Sequence, residues 1–355
     1  MTLKRVALLF EFPTLSGGER SLLAALDGID RDRWACLALA PPEGRLARAL
    51  HAAGVEIETL GRLADPLEVA AEAGADLVHA NSLSMAVRAG SVATRADSLP
   101  FTAHIRDIQR LGGDRRTALD RSSGLVAVSR AVQASLTKQG LDSTVVHNGI
   151  APGPPRQPAD IPLVLGVGQI SRRKGQDVFL AAAARLVERI PEVQFHVLGE
   201  RWSRKPEAVE IDQALRRAAT AGPLSGRLTL AGWVEDVRER MAGAALLLHT
   251  ARQEPLGRVL LEAGACGLPV VASDVGGTRE IVKDGVTGLL IPPDDPAAAA
   301  AACAALLEDA DAARAMGEAA RERMAQRFPV ADAGRGLESA WTAALHPDAM
   351  TDGSG

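Results

Sequence analysis

Glu254-Pro-Leu-Gly-Arg-Val-Leu-Leu-Glu262-Ala-Gly-Ala-Cys-Gly-Leu-Pro-Val-Val271 sets two carboxylates on either side of a Pro-Leu-Gly turn and then runs into an apolar segment. Proline is tolerated in the first turn of a helix, where its missing amide hydrogen has no partner to lose. The stretch therefore predicts a helix with Glu254 at or just before its N-terminus, Glu262 two turns later, and a strand beginning at Gly267-Leu-Pro-Val-Val271. A helix start there offers the amides of Leu256 and Gly257 to an anion. The two carboxylates suit hydroxyl groups instead, from which they accept hydrogen bonds. A helix cap or a solvated helix face explains either carboxylate alone and explains the whole succession poorly.

Outward from this stretch the chain repeats one pattern, short aliphatic runs separated by helical segments, as in parallel sheets covered on both faces. Strands are predicted over 5–12, 34–40, 55–60, 77–80, 101–105, 125–128 and 144–146, and then over 163–167, 194–198, 227–230, 245–249, 269–272 and 288–291. Between the two sets lies Ala151-Pro-Gly-Pro-Pro-Arg-Gln-Pro158, which continues neither a helix nor a central strand. A length of 355 residues also suits two cores of ordinary size. The expected organisation is a first α/β domain over 1–155, a second over 160–326, a helix over 328–345 crossing back to the first, and a disordered tail over 346–355. Alanine has the best helix propensity, so the run Ala297 to Ala302 reads as a closely packed helix.

Composition excludes several function classes. With 40 basic and 44 acidic residues the net charge is −4, unlike that of a dedicated nucleic-acid binder. Four Trp, six Phe and no Tyr leave little for stacking platforms, so a bound sugar or nucleotide must be held mainly by charge and hydrogen bonds. Cys36, Cys266 and Cys303 are odd in number and far apart, which suits a reducing compartment and no zinc site. Glu11 interrupts the first apolar run too early for a signal peptide, and no window is long enough to span a membrane, so a cytoplasmic location is expected.

Two further loops carry chemistry. Ser16-Gly-Gly-Glu-Arg20 joins a strand to a helix, and its glycines let a ligand approach the amides of the helix start. Gly166-Val-Gly-Gln-Ile-Ser-Arg-Arg-Lys174-Gly175 places three cations at the mouth of a strand, an anion site in which Lys174 is a compact charge for a phosphate oxygen. Neither is a Walker loop, since no Gly-Lys-Ser/Thr follows, and Ser171 stands where a dinucleotide fingerprint needs its third glycine. Asp30-Arg-Asp32 has the letters of a metal-binding Asp-x-Asp, but it precedes a strand instead of following one and reads as a solvated turn.

Several elements in register resemble the large retaining glycosyltransferase family 4. They are Gly17-Gly18, His104, Val128-Ser129, Asn148-Gly149-Ile150, Gly168 through Lys174-Gly175, Leu198-Gly199, Ala231-Gly232, the Glu254/Glu262 pair, and Gly276-Gly277 followed by Glu280. The resemblance implies an α/β GT-B fold, two Rossmann-like doubly wound parallel-sheet domains facing a central cleft. It implies a metal-independent enzyme with no cofactor that retains anomeric configuration. The sugar would move from a nucleotide-diphosphate sugar, UDP or GDP, to a glycan, lipid-linked or small-molecule hydroxyl. Carried across, Lys174 neutralises the diphosphate, Glu254 reaches donor-sugar hydroxyls and Glu262 the ribose. Leu256 and Gly257 supply backbone contacts, and Trp233 and Val234 lie near the base. Gly17, Gly18, Gly168, Gln169, Arg173 and Arg258 complete the donor set. His104, with Glu254 and Lys174, belongs to the catalytic set, and Asn81, His104 and Arg106 to the acceptor side. The family usually has Gly-Arg at Gly168-Gln169, so Arg172, Arg173 or Arg258 is left to partner Lys174.

Other readings of the same fold are a sugar phosphorylase or a nucleotide-sugar epimerase. A two-lobed solute-binding protein is the non-enzyme alternative, and it needs an export signal. From Arg106 to Lys138 seven basic residues stand against three acidic, which suggests weak peripheral contact with anionic lipid.

Overall fold

The apolar runs form strands, the central ones buried on both faces, and every strand pairing among the described residues is parallel. The structure, a computed structural model, describes residues 2–93 and 98–347; the tail expected over 346–355 lies outside them from residue 348 on. The chain divides into two compact units, one of residues up to Gly149 together with those from Pro329 onward, the other Ile150–Phe328.

The first unit runs β1 (Lys4–Leu9), α1 (Gly17–Leu26), β2 (Trp34–Leu39), α2 (Arg45–Ala52), β3 (Glu56–Glu58), α3 (Pro66–Glu72), β4 (Leu77–Ala80), α4 (Leu83–Val92), β5 (Phe101–Ile105), α5 (Gly113–Asp120), β6 (Gly124–Ala127), α6 (Arg130–Thr137) and β7 (Thr144–Val145). Its strand order, β3-β2-β1-β4-β5-β6-β7, reverses direction between β1 and β4. The predicted strand 5–12 is shorter than expected. Phe10 makes one more ladder bond, to the Leu39 carbonyl, and then Glu11 and Phe12 leave the sheet, with Phe12 58% exposed. Helix starts are fixed by side chains: Glu19 accepts from the Ser16 amide at 3.0 Å, and Ser129 caps α6 through the Val132 amide at 3.0 Å. Such caps are worth about 1 kcal/mol each.

The second unit runs β8 (Leu163–Val167), α7 (Gln176–Arg189), β9 (Gln194–Leu198), α8 (Pro206–Thr220), β10 (Leu228–Gly232), α9 (Val237–Ala242), β11 (Leu246–His249), α10 (Arg258–Cys266), β12 (Val270–Ser273), α11 (Thr278–Ile281), β13 (Leu289–Ile291), α12 (Pro296–Glu308) and α13 (Ala310–Arg327). Here the order β10-β9-β8-β11-β12-β13 reverses between β8 and β11. Gly166 inside β8 leaves room for the Phe179 ring, which a Cβ would meet at 2.8 Å, so this glycine packs the core. The proline-rich segment after Gly149 is tied to this unit: Gly153 donates to the Ala265 carbonyl, Gln157 to Ala242 and Ala159 to Gly243.

The last helix, α14 (Val330–Leu345), groups with the first unit and packs against α1 and β4 to β6. Trp341 is fully buried, lies 5.3 Å from the Trp34 ring centroid, and donates its indole N–H to His79 Nδ1 at 3.2 Å.

Candidate active site

In open parallel sheets, ligands bind beyond the C-terminal strand ends where the strand order reverses. In the second unit that point lies between β8 and β11, and it is there that Lys174 meets Glu254. Lys174 ends a single 3₁₀ turn, Arg172–Lys174, after β8. Gly175 closes the turn at φ +68°, and a Cβ on it would lie 1.9 Å from the Thr250 carbonyl oxygen, so only glycine lets this turn close onto the exit of β11. Thr250 Oγ1 donates to the Gly175 carbonyl at 2.8 Å. The Gln176 side chain donates to the Gln169 carbonyl at 2.9 Å and accepts from the Ser171 amide at 3.2 Å. The lysine stem is thereby held across Gly168.

Lys174 Nζ lies 2.5 Å from Glu254 Oε2, with side chains 15% and 7% exposed. His249 Nε2 lies 2.9 Å from the same oxygen. A carboxylate only accepts, so His249 carries its proton on Nε2. Burial pushes the Glu254 carboxyl up, but Lys174 and the His249 hydrogen bond outweigh it and hold the group well below the usual carboxylate range. Burial, with the Lys174 and Arg173 charges, also lowers His249 despite its bond to Glu254. At neutral pH the cluster is an ammonium, a carboxylate and a neutral imidazole. Oε2 is doubly engaged, which leaves Oε1 to accept from a ligand.

One expectation is corrected here. The helix starts at Arg258 and not at Pro255: Gly257 is its N-cap at φ +103°, a conformation that breaks the helical path, and Glu254 stands in the loop before it. Glu254 is fixed instead by a turn after β12. The Gly277 amide donates to its carbonyl at 2.9 Å, and a Cβ on Gly277 would lie 2.3 Å from the Pro255 carbonyl oxygen. Glu262, buried on α10, pairs with Arg258 at 2.9 Å across one helical turn.

The structure thus places Gly168, Gln169 and Lys174 after β8 and Glu254, Leu256 and Gly257 in the loop after β11, with Arg258 and Glu262 on the helix that follows that loop. Arg172 and Arg173 are exposed there. Trp233 and Val234 follow β10 on the same sheet edge, two strands from β8, and the Trp233 amide donates to Glu200 at 3.2 Å. Asp30 accepts from the Asp32 amide at 3.0 Å in its own turn before β2.

The first unit gathers Gly17, Gly18, Asn81, His104 and Arg106. Arg106 donates through Nε to Asn81 Oδ1 at 2.9 Å, through one terminal nitrogen to Asn148 Oδ1 at 2.8 Å and through the other to His104 Nδ1 at 3.1 Å. Gly18 makes room for it, since a Cβ there would lie 3.3 Å from the Arg106 stem. At the reversal between β1 and β4 lies a cavity of about 540 Å³, whose lining includes Phe10, Glu11, Asn81, Ser84, Asp107 and Arg115.

Sequence reasoning missed His249, Gln176 and the carboxylate and guanidinium lining of this cavity. His249 ends an apolar strand five residues before Glu254, which is the only signal it gives. Asn148 stood in a recognised motif without a role.

The sequence profile of the glycosyl transferases group 1 family matches residues 153–323. Over 301 residues the chain is 33% identical to the alpha-maltose-1-phosphate synthase of Mycolicibacterium smegmatis, covering 72% of this chain and 75% of that protein. The chain belongs to the group 1 glycosyltransferases. This glycosyltransferase has the GT-B fold. Anabaena HepE, solved in complex with UDP and glucose, matches it at a TM-score of 0.79 and 25% identity, over 95% of this chain and 99% of that one. Sucrose-phosphate synthase from Thermosynechococcus elongatus shares the fold at a TM-score of 0.80 and 22% identity, over 97% and 100% of the two chains. Among its described residues the transferase has no cluster of three His, Cys, Asp or Glu side chains fit to hold a metal, and no helix long and apolar enough to cross a membrane.

Proposed function

We propose that this glycosyltransferase moves a hexose from a uridine diphosphate sugar to a hydroxyl of a polyol or glycan, with retention at the anomeric carbon and without metal or cofactor. The observation that carries the reading is the Lys174–Glu254 pair at the strand-order reversal of the second unit. Breaking the sugar–phosphate bond develops negative charge on the departing diphosphate, and a lysine aimed there stabilises it in place of a metal ion. Arg258 is the second cation at this point, and the amides of Leu256 and Gly257 lie beside it. Glu254 Oε1 accepts from sugar hydroxyls and Glu262 from the ribose. HepE, with UDP and glucose bound, supports uridine as the nucleotide.

Glu254 is a poor base, because Lys174 and His249 stabilise its ionised form. The departing phosphate is then the group that takes the acceptor proton, as attack on the same face requires. The acceptor enters the first-unit cavity, where Glu11 and Asp107 offer oxygens to its hydroxyls. The basic patch is reduced by one, since Arg106 is committed to Asn81, His104 and Asn148. Arg110, Arg115, Arg116, Arg121, Arg130 and Lys138 remain exposed and give weak contact with anionic lipid, at about 1 kcal/mol per charge near the surface.

The test is turnover of UDP-glucose with a panel of polyols in EDTA, followed by proton NMR. An α-linked product, formed at an undiminished rate, is expected. A β-linked product overturns retention, and activity lost to EDTA and restored by magnesium overturns metal independence.

A further inference from the structure

Among the groups that Arg106 binds, Asn81 and His104 each leave a second nitrogen buried and unmatched, which sequence does not show. An amide can present either its oxygen or its nitrogen, and a neutral imidazole can carry its proton on either ring nitrogen. In each, the guanidinium takes the acceptor atom: Asn81 Oδ1 from Nε and His104 Nδ1 from a terminal nitrogen. A guanidinium only donates, so His104 Nδ1 must be bare and the proton must sit on Nε2, while Asn81 must turn its Nδ2 away. Both of those nitrogens are buried and lack a partner among the described residues, in side chains only 2% and 3% exposed. Buried donors are seldom left unmatched unless a ligand or water completes them.

We infer that Arg106 is a positioning residue that presents His104 and Asn81 to the substrate as N–H donors, so that the substrate atoms they meet are lone-pair oxygens and His104 never acts as the base. This rests on the transferase reading and adds the polarity of contact on the first unit. It also changes the part expected of Arg106, whose own donors are directed to Asn81, Asn148 and His104. The second histidine in the layer points the same way. His79 Nδ1 accepts from the Trp341 indole at 3.2 Å and meets Thr102 Oγ1 at 2.9 Å, so His79 also carries its proton on Nε2, and its ring meets that of His104 edge-on at 5.7 Å. The charged and titratable groups acting on His104 are Arg106 and His79; burial first, then Arg106, then His79, lower its basicity. Burial and Arg106 bring His79 down to about 3.

The experiment is imidazole ¹⁵N–¹H NMR on the full chain labelled at histidine, with His104→Gln to assign the signal. In the native protein His104 should show the neutral form protonated at Nε2 from pH 8 to pH 5, and its Nε2–H signal should move on addition of UDP-glucose and a polyol. A proton on Nδ1, an imidazolium at pH 6, or a signal indifferent to both substrates overturns the inference, and the only variant these readouts need is His104→Gln, for the assignment. In Arg106→Gln the Nδ1 lone pair is released. His104 should then mix its tautomers or take up a proton at higher pH, and kcat should fall more than KM rises, with its acid limb moved upward. Arg106→Lys, which keeps the charge and a single donor nitrogen, should restore part of the effect; native behaviour in both variants refutes the role. UDP binding to the second unit, read by thermal shift in the same samples, separates the two claims. If UDP fails to bind the native protein the donor reading falls, while the tautomer result stands or falls by itself.

Discussion

Replacing Lys174 by methionine keeps the side-chain length and removes the ammonium from a carboxylate that is 7% exposed. Taking one partner from a buried ion pair costs about 3–5 kcal/mol, because the remaining charge is left uncompensated. His249 still donates to Glu254 Oε2 in the variant, which places the loss near the lower end, about 3 kcal/mol. For units of roughly 150–250 residues each kcal/mol moves Tm by about 2–4 °C, so a fall of about 6–12 °C is expected at pH 7.5 by scanning calorimetry. The pH dependence has a definite sign. In the native protein the Glu254 pKa is depressed, so its contribution is present above the ordinary carboxylate range and is lost only as pH falls through the depressed value. In the variant burial acts against His249 alone and the pKa rises. Protonation then relieves the buried charge, and the gap between the two proteins narrows from pH 7.5 to 4.5. A double variant, Lys174→Met with Glu254→Gln, should regain most of the loss. A gap below about 2 °C at pH 7.5, or one that widens in acid, would refute the reasoning.

Gly257→Ala forces a side chain into φ +103° with its Cβ 2.8 Å from Leu260 and 3.2 Å from Glu254; urea denaturation should show a loss of about 1–3 kcal/mol, and initial rates a lower kcat/KM. Trp341→Ala should destabilise the first unit by about 3–5 kcal/mol, and an unchanged urea midpoint would deny that α14 is part of its core. With Glu262 proposed as the acceptor for the ribose hydroxyls, Glu262→Gln should raise KM for UDP-glucose about tenfold or more with kcat nearly kept, as steady-state kinetics will show. Sedimentation with anionic vesicles should carry the protein down at low salt and release it at high salt; no binding at low salt removes the membrane contact.

The fold was legible where burial alone decides. Strands β4, β5, β8 and β9 lie on the residues predicted for them, and helix α14 falls within its predicted range, because each is an apolar or helix-forming run with polar or proline punctuation at its ends. Boundaries failed where backbone conformation decides. Pro255 has a helix-start signature, but the φ +103° of Gly257 moves the start to Arg258, and a glycine does not announce which conformation it adopts. Phe12 reads as strand from its apolarity and lies exposed past the sheet. Lys174, Glu254 and Glu262 were readable as candidates because each stands in a local motif. His249 was not, since inside Leu246–His249 it looks like one more buried strand residue. The Arg106 network is assembled from Asn81, His104 and Asn148 on separate elements, and only topology brings them together.

Nucleotide-dependent stabilisation tests the central claim most directly, by thermal unfolding of the native protein and of Lys174→Ala with UDP, GDP or ADP. A ligand at about one hundred times its Kd stabilises by roughly 2.7 kcal/mol, which shows as a rise of several degrees. UDP should produce that rise in the native protein and little or none in the variant, with GDP and ADP weaker. No rise with any nucleotide in folded native protein, or an equal rise in Lys174→Ala, contradicts a donor site built on Lys174 and Glu254.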